Sequence, residues 1–493
     1  MKIEKRITMK HKILTKLGSF ILLVGIVTSC TWIDPEINVN PDAPLNVPPD
    51  LILPQIQART AFNVVGGNDQ TRTQALWIQH LTGVTRQSQA EGSYIHREGD
   101  VNNLWGDVYS DALMDTKQIF QQVGVAGNES FHFLSVTQIL QAVILGYATD
   151  VWGDIPWSQA LLGSENLTPE FDSQESIYAT IQSLLDQGIA NCSRADGGVL
   201  ALSGDIIFSN DTEKWVQAAW ALKARYALQL AKRNGNAAYN DALLFSTSAF
   251  QTNDGNMKYY YAEDNANNAN PLYLFNVNRT DVRMCKTLVD SLVNHQDPRL
   301  PQFCEPTTSD IEYQGEVIPE GSYWGSPIDE AFEAASMPGP GIASNGTPTP
   351  IITAAEVHFI RAEAQVMLGQ FAAARTSYKE ALKVSLEEYG VFNQTWFDAY
   401  SSAIDLIPDN EDIMMNAVMT EKWISLCYNS IAYNDWRRTG YPVLVPNPLG
   451  SGPSGQPEIP RRYSYPTDAN LYNPNTPPLG NNPLWERVWW DAE

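Results

Sequence analysis

The chain has 493 residues, 43% of them hydrophobic, with 5 cysteines and a formal net charge of −24. That length supports one large domain or two to three ordinary ones. The acid excess excludes nucleic acid and anionic headgroups as natural partners, and no CxxC or Cys/His spacing suits zinc.

A basic leader (Lys2, Lys5, Arg6, Lys10, Lys12, Lys16) runs into a short apolar core, Phe20–Val27, before Thr28, Ser29 and Cys30. These parts in this order predict a signal peptide over 1–29, with an apolar run too short to span a bilayer. Cys30 behind two small residues resembles the lipobox of bacterial lipoproteins. Acylation at Cys30 is therefore expected, leaving a globular body tethered by lipid. Residues 30–50 are rich in Pro, Asn and Asp and predict an extended strap.

From residue 51 to 493 a single body is expected. Apolar residues at three-to-four spacing predict helices over Leu51–Phe62, Gln70–His80, Asn102–Gln122, Phe131–Thr149, Gln174–Asn191 and Glu213–Lys232. Further helices are expected over Ala237–Ser248, Val282–Asn294, Ala354–Leu368, Phe371–Glu388 and Ile413–Tyr433. Gly369 separates two of them, and Phe371, Ala374, Tyr378, Ala381 and Leu382 follow at tetratricopeptide spacing. Residues 102–149 and 174–232 read as diverged copies of such a pair. Trp105, Trp215, Trp220 and Trp423 lie at helical spacing beside apolar neighbours and are expected in the core.

Between 253 and 350 the composition turns to Asn, Pro, Gly and Tyr, which predicts a loop-rich lobe. A second irregular region covers 441–493. The fold class is mostly α: a tetratricopeptide-like superhelix of helical pairs, about 51–250 and 351–435, beside that irregular lobe. Cys192, Cys285, Cys304 and Cys427 read as small buried hydrophobes, with Cys285–Cys304 the pair nearest in sequence.

No GxSxG, HExxH, phosphate-binding loop or dinucleotide fingerprint occurs, and the six His include no metal-binding i,i+4 pair. No EF-hand spacing supports calcium, and no cofactor is expected. Ligand contact is expected from aromatics in loops, where a sugar's C–H face stacks and amides or Arg satisfy hydroxyls. Three loop clusters qualify. They contribute Arg86, Tyr94 and His96; then Tyr273 and Asn276; then Tyr323 and Trp324, in a turn bounded by Gly321 and Gly325. A catalytic carboxylate pair has no local signature, so a lipid-tethered glycan-degrading enzyme stands as one alternative. A protein-binding tetratricopeptide scaffold is the other.

Several words in order resemble the SusD/RagB family of outer-membrane lipoproteins, nearer its SusD-like branch. They are Gly153-Asp-Ile-Pro-Trp157, Asn270-Pro-Leu-Tyr273, Asp297-Pro-Arg-Leu300 and Ala355-Glu-Val-His-Phe-Ile-Arg-Ala-Glu-Ala364. Glu421-Lys-Trp423, Trp436-Arg-Arg-Thr-Gly-Tyr-Pro442 and Ile459-Pro-Arg-Arg462 complete the set. The resemblance implies a non-catalytic, cell-surface protein that captures a glycan or peptide nutrient. It also implies a partner, a SusC-like TonB-dependent transporter barrel, and a ligand surface built from loops. Physically, Gly153-Asp-Ile-Pro156 reads as a helix stop and turn. Arg437, Arg438, Arg461 and Arg462 read as forks that pin C-terminal loops through carboxylates.

Overall fold

The computed structural model describes residues 47–493, apart from 128, 197–199 and 264–267. The signal peptide, Cys30 and the strap up to residue 46 lie outside the described residues. Helix α1, Pro49–Arg59, starts on a proline with Asp50 in its first turn, which suits a helix N-terminus. It continues as a π-helical segment, Thr60–Val65. Helix α2, Met114–Val123, follows another π-helical stretch, Asp107–Leu113.

Helix α3, Phe131–Trp152, is apolar around most of its circumference because it is the central helix. Its 22 residues are long and apolar enough to cross a membrane, yet 83% of that apolar window is buried inside the body. Helix α4, Gln174–Cys192, packs on α3, and helix α5, Thr212–Gln229, packs on α4. Asp211 caps α5 by accepting from the Glu213 and Lys214 N–H groups at 3.0 and 3.1 Å. Helix α6, Asn236–Ser246, folds back on α5 and meets α7, Ala354–Met367. Ala224, Ala227, Leu228, Ala242 and Ile360 fill that junction; small side chains let the helices approach.

Helix α8, Phe371–Glu388, turns back at Gly369 and packs on α7. Ala374, Tyr378, Ala381 and Leu382 are buried, as their spacing predicts, while Phe371 is half-buried. Helices α9, Gln394–Asp405, α10, Glu411–Ser425, and α11, Ile431–Thr439, complete the body. The protein is mostly helical, as the periodicity predicts.

The lobe is built on short antiparallel pairs. Strands are β1 (Leu81–Gly83), β2 (Met257–Tyr259), β3 (Val282–Met284), β4 (Ile311–Tyr313), β5 (Glu316–Ile318) and β6 (Thr349–Ile352). β1 pairs with β3, β2 with β6, and β4 with β5.

Several expectations are corrected. The helix expected over Val282–Asn294 begins with strand β3 and turns helical only at Lys286. The helix expected over Ile413–Tyr433 is broken between Ser425 and Ile431, where Tyr428 has φ +56°. Helix α9 was not expected at all, and Ile404 is its one buried residue. Trp215 and Trp423 are buried, but Trp105 and Trp220 are only half-buried. Cys285 and Cys304 are buried free thiols rather than partners.

Gly153 ends α3 at φ +80°, a backbone region that favours glycine. Asp154 then accepts from the Gln174 N–H at 2.8 Å, tying that turn to the start of α4. Two of the four arginines pair as expected: Arg438 with Glu363 and Asp435, and Arg461 with Asp491 through two hydrogen bonds. The other two hold carbonyls instead. Arg437 donates to Asp150 and Arg461 oxygens at 2.8 Å, and Arg462 to Trp152.

Candidate functional site

A cleft of ≈ 250 Å³ lies where the loop-rich lobe meets the helical body. The β2–β6 pair supplies Lys258, Thr349 and Pro350 to its wall. The end of α8 supplies Glu388 and Tyr389, and the turn between α10 and α11 supplies Cys427, Tyr428 and Asn429. Gln302, Gly341 and the Asn270–Pro271 corner complete the lining.

Each wall is held in place. Asn270 accepts from the Leu272 and Tyr273 N–H groups at 2.9 and 3.1 Å, starting the helix Pro271–Asn278. Its amide donates to the Thr347 carbonyl at 2.9 Å, so one side chain fixes two edges. Lys258 pairs with Glu388, their side chains 10% and 11% exposed. Tyr389 meets Phe303 edge-on, with centroids 4.9 Å apart. Asn429 accepts from the Ile431 N–H at 2.9 Å and so starts α11.

Tyr428 is the unusual member. Its backbone is left-handed, and its hydroxyl is buried without a hydrogen-bond partner. Both features cost free energy that the protein does not recover locally. Burial pushes the Tyr428 and Tyr389 hydroxyls and the Cys427 thiol upward, so all three stay protonated. The cleft thus offers neutral hydroxyls, amides and proline faces, with its one Lys–Glu couple paired internally. That is the chemistry of holding a polar, uncharged ligand rather than of activating a nucleophile.

A broader depression of ≈ 520 Å³ touches the same Pro271 and carries Phe62, Asn63, Asp69, Asp107 and Asp111. Burial pushes Asp69 up to about 6 despite the pull of Arg72. Asn63 donates to Asp107 at 3.0 Å, and Arg59 pairs with Asp111.

The residues expected from sequence fall in different places. Tyr273 and Asn276 are half-buried on the helix that begins at Pro271, and the Asn276 carbonyl oxygen has no partner. Arg86 is on the surface, 2.8 Å from the buried Asp281. Tyr94 is buried, its hydroxyl accepting from the Asn447 N–H at 2.7 Å. His96 is buried between Trp77 and Tyr463, with centroids 5.6 and 4.6 Å away. Tyr323 is half-buried.

Trp324 is 8% exposed and packs against Tyr313 and Phe332 at 5.2 and 5.1 Å. As placed, Tyr94, His96 and Trp324 offer no ring face to a ligand. Their loops are lined by other aromatics, and burying large rings together releases more water than presenting them.

Lys258, Gln302, Glu388, Tyr389, Tyr428 and Asn429 were not anticipated. Asn429-Ser430 is a helix-start signal inside an apparently continuous helix, and it marks the turn that carries Tyr428.

A helical-pair body whose loop lobe borders a cleft of amides, hydroxyls and one Lys–Glu ion pair suits a binding protein, and comparison with known proteins agrees. Residues 41–466 match the model of the SusD-like family, described as starch-binding and associating with the outer membrane, and the chain belongs to that family. Family members are binding proteins, not enzymes, and so is this one.

A structure described as a chitin-binding protein is 25% identical, covering 90% of this chain and 100% of its own, with a TM-score of 0.75. A SusD/RagB family protein from Bacteroides thetaiotaomicron is 23% identical over 91% and 99%, TM-score 0.71. A chitin-binding SusD homolog from Flavobacterium johnsoniae is 20% identical over 90% and 98%, TM-score 0.74. No curated protein matches the chain.

Proposed function

We propose that this protein is anchored through lipid on Cys30 in the outer membrane, faces the cell exterior, and captures an oligosaccharide for a SusC-like TonB-dependent transporter. The Tyr428 hydroxyl carries the proposal: it is buried and unpartnered, on a residue lining a cleft whose other polar groups are amides, hydroxyls and the internally paired Lys258 and Glu388. A sugar hydroxyl would supply the missing hydrogen bond, and the proline faces would meet C–H groups. Relatives described as chitin-binding favour a neutral glycan over a peptide.

Calorimetric titration with neutral oligosaccharides tests this on Tyr428→Phe. Removing a hydroxyl that bonds only to ligand should weaken binding about tenfold, from the ~1–1.5 kcal/mol of one hydrogen bond, while stability holds or rises. Unchanged affinity, or saturable binding of peptides alone, contradicts the proposal. Cys30→Ser should release the protein from the membrane, and mild detergent should co-purify a large barrel with the native form.

A further inference from the structure

A second groove, ≈ 310 Å³, lies away from the lobe, between α2, α3 and the turn that follows Gly153-Asp-Ile-Pro156. It is lined by Lys117, Phe120, Gln121, Gln141, Trp157 and Leu161. Trp157 stands apart from every other described tryptophan. Each of the others has an aromatic neighbour, an indole N–H hydrogen bond or a cation over its ring. The Trp157 side chain has none of these among the described residues, although its ring is half-buried.

The backbone around it is firmly held. Asp172 accepts from the Trp157 and Ser158 N–H groups at 2.9 and 2.8 Å, and Ile155 bridges to Asp172. Leu161 sits at φ +62°, a strained conformation for a branched residue, and the Lys117 ammonium bonds its carbonyl. The strained Leu161 and Trp157 line the same groove.

The lining also fixes the chemistry. In a chain of net charge −24, no carboxylate lines this groove among the described residues. The Gln121 amide and the Lys117 ammonium line it with Trp157, while the buried Gln141 amide donates to Thr116 at 2.9 Å. Donors around one free ring match the equatorial hydroxyls and apolar face of a pyranose.

We propose that Trp157 is the platform of a second, separate saccharide-binding groove, with Gln121 and Lys117 serving the hydroxyls of a neutral sugar stacked on it. The proposal rests on the reading of the protein as a glycan binder but not on the seam cleft.

Titration of the intact mature protein with an α-1,4-glucose heptamer and a β-1,4-N-acetylglucosamine hexamer tests it. The wild type should show two binding events with at least one probe. Trp157→Ala should weaken one of them about 5- to 100-fold, the effect of losing one stacked ring, with an unchanged melting temperature. Trp157→Phe should restore most of it. Gln302→Ala, in the seam cleft, should affect only the other event.

If Trp157→Ala leaves every titration unchanged, or lowers the melting temperature with affinity intact, the groove is not a sugar site, whatever Gln302→Ala does. If Gln302→Ala changes nothing while Trp157→Ala does, the groove stands and the seam cleft falls. No saturable binding of either probe by the wild type overturns the proposal.

Discussion

At the scale of single residues, the lobe uses its aromatics as core. Trp324 closes a small cluster with Ile311 and Ala335, while its backbone N–H donates to the Ser336 hydroxyl at 3.0 Å. Trp324→Ala should therefore cost about 3–5 kcal/mol of stability, measured by urea unfolding, without weakening ligand at the seam cleft. His96 makes a pH-dependent contribution. Burial holds its pKa down at about 4, against the opposing pull of Asp100. The folded protein keeps His96 neutral, while the unfolded chain takes up a proton below about 6.5.

Stability from His96 is thus full above pH 6.5 and falls as pH drops toward 4, by roughly 3 kcal/mol in all. Asp150, pushed up to about 6 by burial, and Asp69 act with the opposite sign in that range. Comparison with His96→Phe isolates the histidine: the wild type should lose ground against the variant between pH 7 and 4.5. Equal pH dependence would contradict the burial. The sequence places Tyr323 and Trp324 in a lobe but leaves open which ring turns inward, since that depends on partners such as Phe332. For the same reason the inward turn of Tyr94 and His96 is not legible in the sequence.

At the scale of elements, periodicity reveals the helices because the body stacks amphipathic pairs whose small residues mark the contacts. Gly146 is one such contact: a Cβ there would fall on the Tyr226 hydroxyl of α5. Glycine to alanine inside a helix normally gains about 1 kcal/mol. Overpacking of α3 against α5 should outweigh that gain, so Gly146→Ala should lower stability by about 1–3 kcal/mol. A raised melting temperature would contradict so close an approach.

The elements that escaped detection share a physical cause. Helix α9 is amphipathic but buries only Ile404, and the break before α11 depends on one residue in a left-handed conformation. Strand β3 spans Val282–Met284, too short for a period of two to register.

At the scale of the whole molecule, the seam cleft draws on Val65, Lys258, Gln302, Glu388 and Asn429. Segments so far apart share no local pattern, so the lobe and the family words are legible in the sequence but the cleft is not. Its assembly depends on long-range pairs such as Lys258 with Glu388 and Asn270 with Thr347. The acid excess disfavours anionic ligands and leaves neutral or cationic ones unrepelled. The most direct test of glycan capture at the seam is a crystal structure of the mature protein soaked with the oligosaccharide it binds most tightly. Sugar density within hydrogen-bond reach of the Tyr428 hydroxyl, beside Tyr389 and Asn429, is the predicted result. Density confined to other surfaces, with the cleft holding only solvent, would contradict it.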